Sequence, residues 1–367
     1  MEYHINTKGS KPQQLIREEI EILDALKELE LNMPLFMRDY FIFLRGSVAP
    51  STALAYIRDI EFFFSYLLGE TLLSKAEIIK DITLEDLAKL RSRDLNEFLG
   101  DYCRRYYKEI DGELHVFENN NASISRKRSS LSSLFRFFYR NEQLKEDLSG
   151  GLNPIRMPKP QPDAIKRLHK EEITELLYVV ETGDGLSEKE LIYWEKTKYR
   201  DRAILLFFIT YGLRLRELAN LDISSFHFGR KEFTVYRKRD KQTTLPLNDT
   251  TQKALDEYLN LERAPAGDDA LFLSLQGTRI TQRAIRDLVK KYTALAMKTS
   301  RSQGYSPHKL RATAASTLIE RGFSIYDVQN LLDHDNVTTT QLYAAHKKNV
   351  KADIIMNFEL DEGKKSP

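Results

Sequence analysis

Apolar positions recur every three to four residues along most of this chain, the spacing of helices with one buried face. Ile16, Ile20, Ile22, Leu23, Leu26 and Leu29 set the pattern from Leu15 onward, after a polar start over residues 1–14 that carries no such signal. A second helix is predicted from Pro34 to Leu44, with the proline tolerated in the first turn. A third runs from Thr52 to Leu68, capped by Ser51 and stopped by Gly69, with Leu54, Ile57, Ile60, Phe63 and Tyr66 on one face. Thr83-Leu84-Glu85-Asp86 opens a short helix, and Ser92 to Tyr107 forms another. The pattern breaks over residues 108–121, where Asp111-Gly112 reads as a hairpin turn and Asn119-Asn120-Asn121 as a polar stop.

The helix predicted over Ser123–Tyr139 has two unlike faces. Leu131, Leu134, Phe135 and Phe138 lie on one; Ser125, Ser129, Ser132, Ser133, Arg136 and Arg140 lie on the other. Small hydroxyls among arginines, with no acidic side chain, let a helix approach a phosphate backbone closely. An ordinary solvated face is the alternative. The expected DNA contacts are Arg126, Lys127, Arg128, Arg136 and Arg140. A stretch without periodicity follows, holding Ser149-Gly150-Gly151 and Pro154, Pro158, Pro160 and Pro162, and reads as a linker.

Helical spacing returns after Leu168, to about Val180. Residues 183–198 read as a polar excursion around Trp194, and Arg202–Tyr211 as a buried helix. The period then shortens to that of strands: Phe226-His227-Phe228, Phe233–Tyr236 and Thr243–Pro246 predict a small three-stranded antiparallel sheet. Helices resume over Thr250–Arg263, Thr281–Thr299, His308–Arg321, Ser324–Leu332 and Thr338–Asn349. The expected organisation is a mainly α chain. It has a helical domain over 1–148, a basic linker over 149–167, a second domain over 168–349 and a tail over 350–367.

Composition narrows the function. The 367 residues are enough for two domains, and the net charge of only +2 means that any affinity for nucleic acid must be local. It is: residues 122–167 hold ten Lys and Arg against four Asp and Glu. A single cysteine, Cys103, excludes a disulfide framework and a cysteine-based zinc site. No apolar run reaches the ~18 residues of a membrane span, and no signal peptide is visible, so a cytoplasmic protein is expected.

Chemistry concentrates late in the chain. His308, Arg311, His334 and Tyr343 fall within one helical stretch. An acid–base pair, a fixed cation and a phenol suit phosphoryl transfer. Gly212–Leu218 reads Gly-Leu-Arg-Leu-Arg-Glu-Leu, and Lys238 lies in a strand turn 24 residues after Arg214. His308 and Arg311 form a His-x-x-Arg pair, Leu331–His334 a Leu-Leu-x-His motif, and Tyr343 follows His334 by nine residues after Thr339-Thr340. Each motif alone is weak; all five in order are specific.

On these motifs, residues 168–349 resemble the catalytic domain of the tyrosine recombinase (phage integrase) family, in its Xer-like branch. Less specifically, residues 15–142 resemble the family's SAM-like core-binding domain. The resemblance implies that Arg214 and Arg311 clamp the scissile phosphate. It makes Tyr343 the nucleophile that forms a 3′-phosphotyrosyl link, His308 a proton acceptor, Lys238 the donor to the leaving 5′-oxygen, and His334 a phosphate contact. Glu217 would orient an arginine; Arg237 and Arg239 would stiffen the lysine turn or add phosphate contacts. No metal or cofactor is expected, because the link conserves bond energy. The implied partners are a double-stranded DNA site and three further copies in a tetramer that passes through a four-way junction, the tail docking on a neighbouring copy. Chromosome-dimer resolution is the expected role, with a mobile-element integrase and a type IB topoisomerase as rivals. The residues leave open whether an accessory protein such as a DNA translocase takes part. The chain departs from the family's usual residues at Arg216, Arg237, Arg239, Ala312 and Asp333.

Overall fold

Two amphipathic 20-residue helices, α1 (Gln13–Asn32) and α3 (Pro50–Gly69), pack on each other early in the chain, in a computed structural model that describes residues 11–157, 166–237, 241–265, 267 and 269–333. The chain separates into two units, Met1–Lys159 and Pro160–Pro367. The expectations for residues 1–10 and for the tail lie outside the described residues.

In the first unit, α2 (Arg38–Ser47), α4 (Leu84–Lys89), α5 (Ser92–Glu97) and α6 (Asn121–Arg140) complete the helices. Met37, Tyr40, Ile57, Ile60, Phe63, Phe64, Leu131, Phe135 and Phe138 form their shared core. Two boundaries differ from expectation. Ser51 is not the cap of α3; Pro50 stands at its first turn, where a fixed φ and a missing N–H are no loss. The helix from Ser92 stops at Glu97, passes through a π-turn at Phe98–Tyr102, and gives way to β1 (Arg105–Ile110), paired with β2 (Glu113–Glu118). Asp111 and Gly112 both take positive φ, as a two-residue hairpin turn requires. Tyr106 stacks on Phe117 at 5.3 Å, so cross-strand aromatic pairing outweighs the helical spacing read from the same residues.

A further difference concerns the linker. Leu152 joins the core of the first unit, and the Asn153 N–H donates to Asn96 Oδ1 at 2.8 Å. Residues 149–156 therefore pack as part of this unit, whatever their glycine and proline content.

The second unit contains α7 (Lys170–Thr182), α8 (Glu188–Trp194), α9 (Lys198–Tyr211), α10 (Leu215–Ala219), α11 (Asp249–Leu261), α12 (Gln282–Ala296), α13 (Pro307–Glu320) and α14 (Ile325–Leu332). Helix α8 lies inside the expected polar excursion. Its start was legible: Ser187 and Glu190 form a reciprocal capping box. Trp194 is buried and donates its indole N–H to the Val180 carbonyl at 2.8 Å. Helix α9 is the buried one, with Ile204, Leu205, Phe207 and Phe208 inside. The sheet is β3 (Phe226–His227), β4 (Glu232–Tyr236) and β5 (Gln242–Pro246), antiparallel in that order. Phe233 and Val235 face the core from β4, and the sheet's far end carries Arg237 and Lys241. Ala312, Ala315 and Ile319 of α13 pack against Val328 and Leu332 of α14.

Candidate active site

The site is assembled around the end of α9. That helix stops at Gly212, whose φ is 59°, and a Cβ there would stand 2.5 Å from Leu332 Cδ2. Both the left-handed backbone and the close approach of α14 call for glycine. The chain then turns and caps α10 with Arg214. The Arg214 N–H donates to Glu217 Oε2 at 2.8 Å and its Nη1 to Glu217 Oε1 at 2.7 Å. Glu217 is buried, at 6% exposure, so its carboxylate depends on these donors.

Arg311 approaches the same carboxylate from α13. It is 3% exposed, and its Nη1 lies 4.0 Å from Glu217 Oε2. The same nitrogen donates to the Gly212 carbonyl at 2.6 Å. One carboxylate thus stands between two guanidiniums, and two cations sharing one countercharge retain attraction for a further anion. His308 lies one turn before Arg311, in the first turn of α13 after Pro307. The residue reaches solvent. Desolvation by the surrounding protein, then the charges of Lys309, Arg311 and Arg214, hold its pKa below the ordinary imidazole value. The neutral ring can accept a proton.

The last turn of α14 gathers the cations. The final carbonyls of a helix have no partner within it, and its C-terminal dipole favours positive charge. Here Arg237 Nη2 donates to the Leu331 carbonyl at 2.8 Å, Arg311 Nη2 to the Leu332 carbonyl, and Arg214 Nη2 to the Asp333 carbonyl at 2.9 Å. Asp333 ends the helix with φ 52° and accepts Lys241 Nζ at 2.5 Å. That bond, ahead of nearby cations and against partial burial, lowers the Asp333 pKa. Four cations surround two carboxylates, Glu217 and Asp333.

The expected site residues divide into three groups. Arg214 and Arg311 converge, with His308 beside Arg311. Lys238, Arg239, His334 and Tyr343 lie outside the described residues, but Arg237 and Lys241 flank the lysine turn and Asp333 immediately precedes His334. Of the two roles expected of Arg237, its placement favours stiffening over a DNA contact: it is 6% exposed and bound to α14. Burial lowers its pKa, against the pull of Glu217 and Asp333.

The basic helix α6 needs a correction at one position. Lys127 is 9% exposed, and its ammonium meets Asp59 Oδ1 at 3.0 Å and lies 4.7 Å over the Phe62 ring. It serves the interior of its own unit. Asp59, 2% exposed on the apolar face of α3, also accepts Arg126 Nη1 at 2.5 Å and Ser130 Oγ at 2.9 Å. An aspartate between Ile57 and Ile60 was the readable sign that some other element must bring it donors or a cation. Ser133 accepts the Tyr40 hydroxyl at 3.0 Å, so it too belongs to the packed face. Arg128 donates to the carbonyls of Leu152 and Asn153, and Arg136 to Ser149 Oγ. Arg126, Arg136 and Arg140 remain exposed. Among the described residues no group of three or more His, Cys, Asp or Glu is placed to hold a metal.

Three comparisons bear on this arrangement. The model of the phage integrase family matches residues 166–350. The tyrosine recombinase XerC of Natranaerobius thermophilus is 31% identical over 293 residues, covering 77% of this chain and 91% of the relative. Among solved structures, a XerH site-specific recombinase bound to its difH substrate in a pre-cleavage complex superposes with a TM-score of 0.60. It is 20% identical, with 93% of this chain and 89% of that one covered. A lambda integrase tetramer bound to a Holliday junction superposes with a TM-score of 0.58 at 15% identity, covering 92% and 88%.

Proposed function

The chain belongs to the phage integrase family and is a tyrosine site-specific recombinase, and from that premise we propose how its residues divide the reaction. The phenol oxygen of Tyr343 attacks the scissile phosphorus in line. Its proton passes to the neutral ring of His308, and the P–O5′ bond breaks. Lys238 gives a proton to the departing 5′-oxygen. Arg214 and Arg311 hold the non-bridging oxygens, where negative charge grows, with donors already fixed in place. An arginine so placed in other phosphoryl transfers contributes about 10³–10⁵ in rate. His334 contacts the same oxygens. The 3′-phosphotyrosyl link is then attacked by a 5′-hydroxyl from another strand, and the steps reverse.

The observation that carries this reading is the pair of guanidiniums held on buried Glu217, beside His308, at the end of the helix that leads into His334. Its test is a nicked DNA duplex bearing the recombination site. The wild-type chain should form a covalent adduct, and Tyr343→Phe should bind the DNA but form none. An adduct persisting in Tyr343→Phe assigns the nucleophile elsewhere.

A finer proposal is that the protein acts in the cytoplasm as a tetramer on two DNA sites, in chromosome-dimer resolution; the XerC name of its relatives and the tetramer formed by lambda integrase on a Holliday junction are consistent with it. Arg126, Arg136, Arg140 and Arg239 are the proposed backbone contacts. The proposed boundaries of the DNA-binding and catalytic domains are residues 1–148 and 168–349, with residues 350–367 docking on a neighbouring copy.

A further inference from the structure

The two residues that flank 238–240 are both fastened to the last turn of α14. On one side, Arg237 donates to the Leu331 carbonyl at 2.8 Å; on the other, Lys241 meets the Asp333 carboxylate at 2.5 Å. The two also close on each other, the Arg237 N–H donating to the Lys241 carbonyl at 2.7 Å. Asp333 does two things at once. Its backbone takes the left-handed conformation that ends α14, and its side chain holds the lysine. Glycine would end the helix as well, with less strain, and could not make the second contact.

We infer that Arg237, Lys241 and Asp333 form a latch that fixes the two strand ends flanking Lys238 against the helix end that precedes His334. The three are positioning residues, since they reach the reacting atoms only through their neighbours. The latch ties the proton donor for the leaving group to the element that carries the phosphate contact, so both are set by one joint. This inference rests on the reading of Lys238 as the donor to the 5′-oxygen.

That dependence supplies the test. When the bridging 5′-oxygen is replaced by sulfur, the P–S bond breaks to release a thiolate, which needs no proton at neutral pH as an alkoxide does. A defect that acts through the proton donor should vanish on that substrate; a defect in phosphate binding or folding should not. Asp333→Asn suits the purpose, because asparagine tolerates the left-handed backbone and removes only the charge. Its partner variant is Lys241→Gln.

On oxygen-bridged nicked duplex, each variant should slow single-turnover adduct formation, by about fivefold for an ion pair this open to solvent. The double variant should be no slower than the slower single, since both remove the same contact. On the sulfur-bridged duplex all three should regain the wild-type rate, as should Lys238→Ala. Melting curves confirm that each variant is folded. Wild-type rates for both single variants on oxygen overturn the latch. So does a defect that persists on sulfur while Lys238→Ala is rescued. If Lys238→Ala itself stays slow on sulfur, the assignment of the proton donor falls, and the latch falls with it.

Discussion

Glu217 offers the sharpest check on the site's electrostatics. Its carboxylate accepts two hydrogen bonds from Arg214 and lies 4.0 Å from the buried guanidinium of Arg311. Removing one partner of a buried ion pair costs about 3–5 kcal/mol, because the other charge is left desolvated and unpaired. Arg214 is a third exposed, so water recovers part of that loss. For Glu217→Ala a net cost of about 2–4 kcal/mol is expected. In a unit of some 200 residues this lowers the melting temperature by roughly 4–16 °C. Glu217→Gln keeps an acceptor for the Arg214 N–H and should fall between Ala and wild type. Differential scanning calorimetry of the full chain measures this. A DNA phosphate gives the two arginines a countercharge that the variants lack, so bound duplex should raise the melting temperature of the variants more than that of wild type. Adduct formation should still fall by about 100-fold, since the arginines lose their fixed geometry. If both variants melt with wild type and cleave at its rate, Glu217 neither pairs the arginines nor orients them.

Two further outcomes follow from charges already placed. In the free protein, an NMR titration should give His308 a pKa below about 6.5. The sign follows: the folded state resists the proton, so the histidine's contribution to stability is present above the unfolded value and is lost as pH falls through the window beneath it. A titration at or above the ordinary value removes the basis for His308 as a neutral proton acceptor. In the first unit, Asp59→Ala should cost about 3–5 kcal/mol in urea denaturation, because it strands the buried Lys127, whereas Lys127→Met and Asp59→Leu together should be close to neutral. A double variant as unstable as Asp59→Ala alone would mean that packing, and not the stranded charge, sets the loss.

What the sequence made legible, and what it hid, follow from the range of the interactions involved. Helical spacing is a local property, and α3, α6 and α9 were placed from it to within a few residues. The three-stranded sheet was equally readable, because Phe233 and Val235 alternate inward along β4. The errors lie where a contact between distant residues overrules a local preference. Tyr106 and Tyr107 continue a helical pattern but pair with Phe117 and Val116 across a hairpin. Lys127 belongs to a basic run by composition, yet Asp59, far off in sequence, draws it inside.

The same reasoning explains why the motifs announced the guanidinium site but not its mounting. Arg214 and Arg311 sit in recognisable sequence contexts, as does Glu217. The C-terminus of α14, which binds three arginines through main-chain carbonyls, has no side-chain signature at all. Only Asp333 betrays it, as a residue with a Cβ at a position that the helix end would leave to glycine. A departure from the family's usual residue there is better read as an added contact to Lys241 than as drift. On that view Arg237 and Asp333 serve one end: each makes a contact between the strand ends that flank 238–240 and the last turn of the helix that precedes His334.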